Sequence, residues 1–219
     1  AFAIMAALYH RERSGKGQLI DIAMLDSIMP LMGWVAANLL IAGQQPVPMG
    51  NDNFTAAPSG SFKTKDGNIN IAANKQEQWE SLADMLELPE LKIDPRFEKR
   101  DIRKKNRKLL TPLVEAKLIQ RPTAEWVDML NAGDVPSGAI LTLEDALNQP
   151  QVRHRGILKE IREEGIGTLK LFGLAAQFSD TPGELNAPPP RLSAHTEEVL
   201  SGLGVTKEEL ASLKAKKII

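Results

Sequence analysis

The apolar positions change rhythm along the chain, and each change marks an element. Ala1 to Leu8 is small and apolar and predicts a buried helix that runs on to His10. Arg11, Arg13 and Lys16 follow at its C-terminal end, where cations offset the negative pole of the helix dipole. Gly15 and Gly17 permit positive φ and turn the chain. Leu19, Ile20 and Ile22, interrupted only by Asp21, predict a short buried strand. Ser27 can cap the next helix, and Pro30 fits its first turn, where a missing N–H costs least. That helix is expected to be buried from Ile28 to Ala42 and to end at Gly43. The polar, Pro-containing stretch from Gln44 to Pro48 predicts a linker and a domain boundary.

Met49 to Ser61 is a run of small and turn-forming residues, which reads either as a surface connection or as a cover over a ligand. Small side chains let backbone N–H groups come close to a bound molecule. Phe62 to Ala73 alternates apolar and polar positions around Asp66-Gly67, the signature of a β-hairpin. Asn74 with Glu77 predicts a capped helix whose core face is Trp79, Leu82, Ala83 and Leu86, ended by Pro89. Asp94-Pro95 predicts an N-cap with Pro at the first helical position. Leu109 to Ile119 continues as a helix bent at Pro112, and Thr123 starts another that carries Trp126, Met129 and Leu130 to Gly133. Asp134 to Leu141 reads as a loop and short strand, and Thr142 as the start of a brief helix to Leu147. Ile157 to Ile161 and Thr168 to Phe172 predict paired strands around Glu163-Glu164-Gly165. Thr181 to Arg191 is Pro-rich and irregular. Thr196 to Leu203 and Lys207 to Leu213 predict short helices, the second with a Thr206…Glu209 capping box.

Composition narrows the function classes. With 219 residues the chain is long enough for one or two domains and a sizeable core. A net charge of −1 removes any global electrostatic case for nucleic acid or an anionic membrane. One segment runs against that balance: Arg96, Lys99, Arg100, Arg103, Lys104, Lys105, Arg107 and Lys108 form a basic run. Glu98 and Asp101 interrupt it and no cluster of aromatics accompanies it, so it reads as a solvated helix face. The absence of cysteine excludes disulfides, thiolate metal sites and a Cys nucleophile in this chain, and fits a cytoplasmic location. No basic region precedes the apolar N-terminus as in a signal peptide, and Ile28 to Ala42 is shorter than the ~20 residues that span a bilayer. The chain begins at Ala1, without Met and inside a predicted helix, as a truncated piece is expected to.

Candidate chemistry is sparse. His10, His154 and His195 are scattered and never fall at metal-ligand spacing. The turn at Gly15 and Gly17 is glycine-rich and carries Lys16, but it follows a helix and precedes a strand. A phosphate loop needs the opposite order, so that free N–H groups face the anion. Asp21 and Asp26 flank the apolar strand, yet both have structural roles open to them, in a turn and near a helix start. From the residues alone the chain is an α/β protein with a possible ligand loop.

A longer pattern is specific. His10 to Asp26, His-Arg-Glu-Arg-Ser-Gly-Lys-Gly-Gln-Leu-Ile-Asp-Ile-Ala-Met-Leu-Asp, closely resembles a signature of the class III CoA-transferases, the CaiB/BaiF type, with Ser14 in place of the usual Thr. Gly50-Asn51, Ala57 to Gly67, Asn74 to Trp79 and Asp94 to Phe97 with Arg103, Asn106 and Arg107 resemble further segments of that family, in order. So do Gly133 to Gly138, with Asp134 inserted, and Pro190 to Leu200, where Ser193-Ala194 replaces the usual Gly-Glu.

The resemblance implies an α/β fold with a large domain built from both ends of the chain and a small α/β domain inserted between them. Residues 1–48 would finish the first part of the large domain and its linker helix. Residues 49–149 would be the small domain with its loop 49–61, and residues 150–219 would return to the large domain. It implies an interlocked homodimer, acyl-CoA and carboxylic acid substrates, coenzyme A thioester as substrate with no tightly bound cofactor, and no metal, nucleic acid or membrane partner. The implied reaction moves CoA between carboxylic acids through an aspartyl-CoA intermediate, with the nucleophilic Asp upstream of residue 1. Racemisation of 2-methylacyl-CoA thioesters in the same family, and a non-catalytic role in folding or dimerisation, stay as alternatives. The residues the resemblance points to for CoA are Met24, Asn51 and the cover loop Ala57, Pro58, Ser59 and Gly60.

Overall fold

The structure is a computed structural model and describes residues 1–163 and 165–219. Its contacts divide the chain into two units, Ala1–Ala139 and Ile140–Ile219.

The first unit opens with helix α1 (Phe2–Ser14), which Gly15 ends in the left-handed conformation at φ 69°. Helix α1 has no buried residue, so the predicted burial of this segment is corrected. The predicted strand over Leu19 to Ile22 does not form. A strand needs a partner for its N–H and C=O groups, and none of the described residues pairs with it. Helix α2 (Met24–Ile28) starts after Ala23, and Ser27 donates back to the Ala23 carbonyl instead of capping. A 3₁₀ turn (Met29–Met32) holds Pro30, and Gly33 separates it from helix α3 (Trp34–Ala42). The single buried helix expected here is therefore two pieces bent by 83°, with none of their residues buried. No helix among the described residues is long and apolar enough to cross a membrane by itself. Gly43 ends α3 at φ 65°, as predicted.

Beyond residue 55 the unit becomes densely packed. Strands β1 (Ser59–Lys63) and β2 (Asn68–Ala72) form the predicted antiparallel hairpin, with Phe62 opposite Ile69 and the turn closed by Thr64 N–H to Gly67 O. Strand β3 (Ser137–Ala139) adds to the far side of β2, giving the order β1-β2-β3. Helix α4 (Gln76–Met85) starts one residue later than predicted, because the Gln78 carboxamide oxygen, not Glu77, receives the Asn74 and Lys75 amides. Its face of Trp79, Leu82 and Ala83 is buried as the spacing predicts, and Leu86 is buried just past its end. Asp94-Pro95 does not open a helix. The Asp94 carboxylate instead takes the Arg96 amide and guanidinium in a turn. Helices α5 (Arg100–Lys105) and α6 (Arg107–Leu118) then meet at Asn106, with Pro112 inside α6. Helix α7 (Thr123–Ala132) completes the layer. Phe62, Ile69, Ile71, Trp79, Leu110, Val114, Trp126 and Leu130 form one core between this sheet and its helices. Asp134 turns the chain toward β3 at φ 59°, a conformation Asp tolerates better than most residues.

Asp66, in the hairpin turn, receives both the backbone N–H and the hydroxyl of Thr123 at 2.8 Å each. These bonds, the backbone one foremost, hold its carboxyl below the ordinary 3.8. The ionised form is thus favoured by folding, a stabilisation present above pH 3.8 and lost as the pH falls through the lower folded value. Asp66→Asn is expected to lower the thermal midpoint at pH 7. The gap from the wild type should close in melts taken below pH 3.8.

The second unit has helices α8 (Leu143–Leu147) and α9 (Pro150–Arg155), then the hairpin β4 (Leu158–Glu163) and β5 (Gly167–Phe172). The predicted turn includes Glu164, which lies outside the described residues. Thr142 caps α8 through the Asp145 amide. Helices α10 (Thr196–Gly202) and α11 (Lys207–Ala215) follow, the second closed by the Thr206–Glu209 capping box. Lys214 pairs with Glu197 across them. Ser193, where the resembling pattern has Gly, adopts φ 64°.

Candidate functional site

Of the basic run, Arg96, Lys99, Arg100, Lys105 and Lys108 are exposed, as its charge suggested, whereas Arg103 is buried and Lys104 and Arg107 are half-buried. Arg100, Arg103, Lys104 and Arg107 recur at helical spacing over α5 and the start of α6. Together they grip the segment from Asp52 to Ala57. Arg103 is 1% exposed and donates Nε to Ala57 O at 2.7 Å, Nη1 to Phe97 O and Glu98 O, and Nη2 to Gln76 Oε1. Its guanidinium also lies 4.8 Å from the centre of the Trp79 ring. Burial, and then the neighbouring Arg100 charge, draw its pKa down to about 10, which leaves it charged at neutral pH. Arg107 donates Nη2 to Asn53 O at 2.6 Å and Ala56 O at 3.0 Å. Its Nη1 has no hydrogen-bond partner among the described residues and sits 3.5 Å from the Asp52 carboxylate. Arg100 donates to Thr55 O at 3.0 Å, and the Lys104 ammonium lies 5.3 Å from the centre of the Phe54 ring. Guanidinium suits this work because its planar fork serves several carbonyls at once and stays charged when buried.

The loop is held from its own side as well. Asn53 N–H donates to Ser59 O, and the Asn53 side chain takes the Thr55 amide and hydroxyl. Phe54 packs on Trp34 of α3, ring centres 5.6 Å apart. Behind this contact lies a cavity of about 300 Å³, with Trp34, Val35, Val47, Met49, Asn53 and Phe54 in its wall.

The residues singled out from sequence are not gathered equally. Ala57, Pro58 and Ser59 are buried together against Phe62 and Arg107. Gly60 presses on the Asn51 carbonyl: a β-carbon there would lie 2.7 Å from that oxygen. Asn51 is exposed and meets Gly60 through its backbone. Met24 is 89% exposed at the start of α2 and lines neither this cavity nor the buried wall. No group of three or more His, Asp or Glu among the described residues could hold a metal ion. The arginines that hold the loop are the residues composition does not single out. Their spacing of three and four residues, with the buried-polar cost of an Arg on a core-facing position, was the available signal.

The model of CoA-transferase family III matches residues 1–196. The chain belongs to CoA-transferase family III. Among its family III relatives, succinyl-CoA:glutarate CoA-transferase of Mus musculus is 34% identical over 198 residues, 90% of this chain and 45% of the mouse protein. Succinyl-CoA–D-citramalate CoA-transferase of Chloroflexus aurantiacus is 30% identical, covering 100% of this chain and 55% of its own. A crystal structure of a CaiB/BaiF family protein from Brucella suis superposes with a TM-score of 0.78 at 32% identity, over 92% of this chain and 52% of that one. The chain therefore spans about half the length of the curated relatives it matches.

Proposed function

We propose that the full-length protein is an acyl-CoA:carboxylate CoA-transferase, and that this chain supplies its loop-bearing half. The family match over residues 1–196, with relatives named as CoA-transferases, carries the reading. The relatives named above act on succinyl-CoA with a dicarboxylic or hydroxy-dicarboxylic acid, so a short acidic acceptor is the expected substrate class. These names favour transfer over racemisation.

In this reading an Asp carboxylate from the other half attacks the thioester carbonyl. CoA leaves as thiolate, giving a mixed anhydride, and returns to the aspartyl carbonyl, which expels the donor carboxylate and gives an aspartyl-CoA thioester. The acceptor carboxylate attacks that thioester and releases CoA thiolate again, which then attacks the acceptor's carbonyl in the new anhydride, forming the product thioester and freeing the Asp carboxylate. Each addition places negative charge on a carbonyl oxygen, which backbone amides stabilise when they are fixed in advance. Residues 52–60 supply such a backbone. The exposed apolar side chains of Leu19, Met24, Leu31 and Ile41 suit burial under the other half of the protein and a second copy of it. The layout of a large domain with residues 49–149 inserted, and the interlocked dimer, belong to the same proposal. The test is the formation of a new acyl-CoA from succinyl-CoA and glutarate by the full-length protein, followed by mass spectrometry.

A further inference from the structure

Cations outnumber acids where the basic run meets the loop. Arg100, Arg103, Lys104 and Arg107 all reach residues 53–57. Asp52, 3.5 Å from Arg107, is the one carboxylate within ion-pair distance of any of the four among the described residues. Two of the four are fully occupied. Arg103 is buried, with its donors on three backbone carbonyls and Gln76. Arg107 serves two carbonyls and Asp52. The other two keep free capacity. Arg100 is exposed and gives the loop one bond, to Thr55 O, from a guanidinium with five N–H donors. Lys104 is half-buried, its ammonium 5.3 Å from the centre of the Phe54 ring. The two stand at i and i+4 on α5, which puts their β-carbons about 5–6 Å apart on one face.

We propose that Lys104, assisted by Arg100, binds the distal carboxylate of the dicarboxylic substrate and so sets a preference for diacids over monocarboxylic acids of equal chain length. This rests on the transferase reading. A short diacid brings one carboxylate to the reacting carbonyl and a second, a few methylenes away, that no step of the transfer uses. With residues 52–60 at the reacting carbonyl, the cations against Phe54 and Thr55 are within such a molecule's reach. Phe54, against which the Lys104 ammonium lies, is also part of the wall of the 300 Å³ cavity, whose apolar sides suit methylene groups. A half-buried ammonium holds a carboxylate more firmly than an exposed one, because solvent screens the pair less. The Arg100 fork adds directed donors from the next turn of the helix.

The test uses the full-length protein as wild type and as Lys104→Met, Lys104→Arg and Arg100→Gln. Succinyl-CoA is the donor throughout, and glutarate or pentanoate, a diacid and a monoacid of equal chain length, is the acceptor. The ratio of kcat/KM for the two acceptors is read, in which the donor's own succinyl end cancels. The wild type should prefer glutarate. Lys104→Met should lower the ratio by about tenfold, the worth of one charge-assisted hydrogen bond. The loss should fall on KM for glutarate, because the distal bond is made in ground state and transition state alike. Lys104→Arg, which keeps the charge, should restore most of the ratio. Arg100→Gln should lower it by less, and its exposed position keeps the test open if Lys104→Met fails to fold. An unchanged ratio in Lys104→Met and Arg100→Gln overturns the proposal. So does an equal loss with both acceptors, which makes the two cations merely structural, and so does a wild type that takes pentanoate as readily as glutarate. The transferase reading survives each of these three results. A wild type that transfers CoA to neither acid removes that reading, and the proposal with it.

Discussion

Replacing Arg103 by Met is expected to be the most damaging single change in the first unit, costing about 3–5 kcal/mol of stability. The side chain is almost completely buried, and its four hydrogen bonds tie three distant pieces of chain together: the loop at Ala57, the turn at Phe97 and Glu98, and α4 at Gln76. Met fills a similar volume, so packing is largely kept. The loss comes from the acceptors left without a donor, two of them in buried surroundings at Ala57 O and Phe97 O. The stacked face of Trp79 also loses its cation. Urea denaturation followed by tryptophan fluorescence checks this: the midpoint should fall by more than ~1 M, given the usual slope of ~1–3 kcal/mol per molar for small proteins. Arg103→Lys should rescue little, because one ammonium cannot reach carbonyls arranged around a planar fork.

Gly60→Ala is the second large effect, and it acts on the loop from the other side. Gly60 lies in β1 opposite Ile71, at φ 148°, a backbone conformation that residues with a β-carbon rarely adopt. The new methyl would stand 2.7 Å from Asn51 O and 3.2 Å from the Asp52 α-carbon, both backbone atoms that cannot swing aside. Either β1 or the chain at 51–52 has to move, at a cost of about 1–3 kcal/mol. The 51–52 segment is the more exposed of the two, so the loop yields first and Arg107 loses its ion pair with Asp52. The expected result is a lower melting midpoint and a larger fall in transferase kcat than the lost stability accounts for. Gly133→Ala is the control. Its methyl would meet the flexible end of Met85 and the Ser81 hydroxyl, and its φ of −94° is ordinary, so a small change in midpoint and unchanged kinetics are expected.

What could be read from the sequence follows the reach of each interaction. The β1–β2 hairpin, the Trp79, Leu82 and Ala83 face of α4, the helix from Thr123 and the Thr206–Glu209 cap all rest on residues within a few positions of one another. Their spacing states the structure. Leu19 to Ile22 shows the opposite case. Its apolar pattern suits a strand, but a strand exists only with a partner, and the described residues offer none. The same holds for α1 and α3, whose apolar sides remain exposed. At the loop, Ala57 to Gly60 could be picked out by resemblance, whereas the arginines that hold it could not be picked out by charge counting. Their acceptors lie 45 to 54 residues away in sequence and are backbone carbonyls, which leave no mark on composition. The eight cations between Arg96 and Lys108 read as a solvated face, and five of them are exposed, but the fold brings a polar loop against four of the eight.

We propose that this chain carries half of a CoA-transferase site, with its loop but not its nucleophile. The most direct measurement incubates succinyl-CoA and glutarate with the full-length protein and, in parallel, with the 219-residue chain, and identifies acyl-CoA products by mass spectrometry. Glutaryl-CoA is expected from the full-length protein and none from the chain alone. Glutaryl-CoA formed by the chain alone would contradict the proposal, as would a full-length protein that forms no new acyl-CoA from this pair or from other dicarboxylic acceptors.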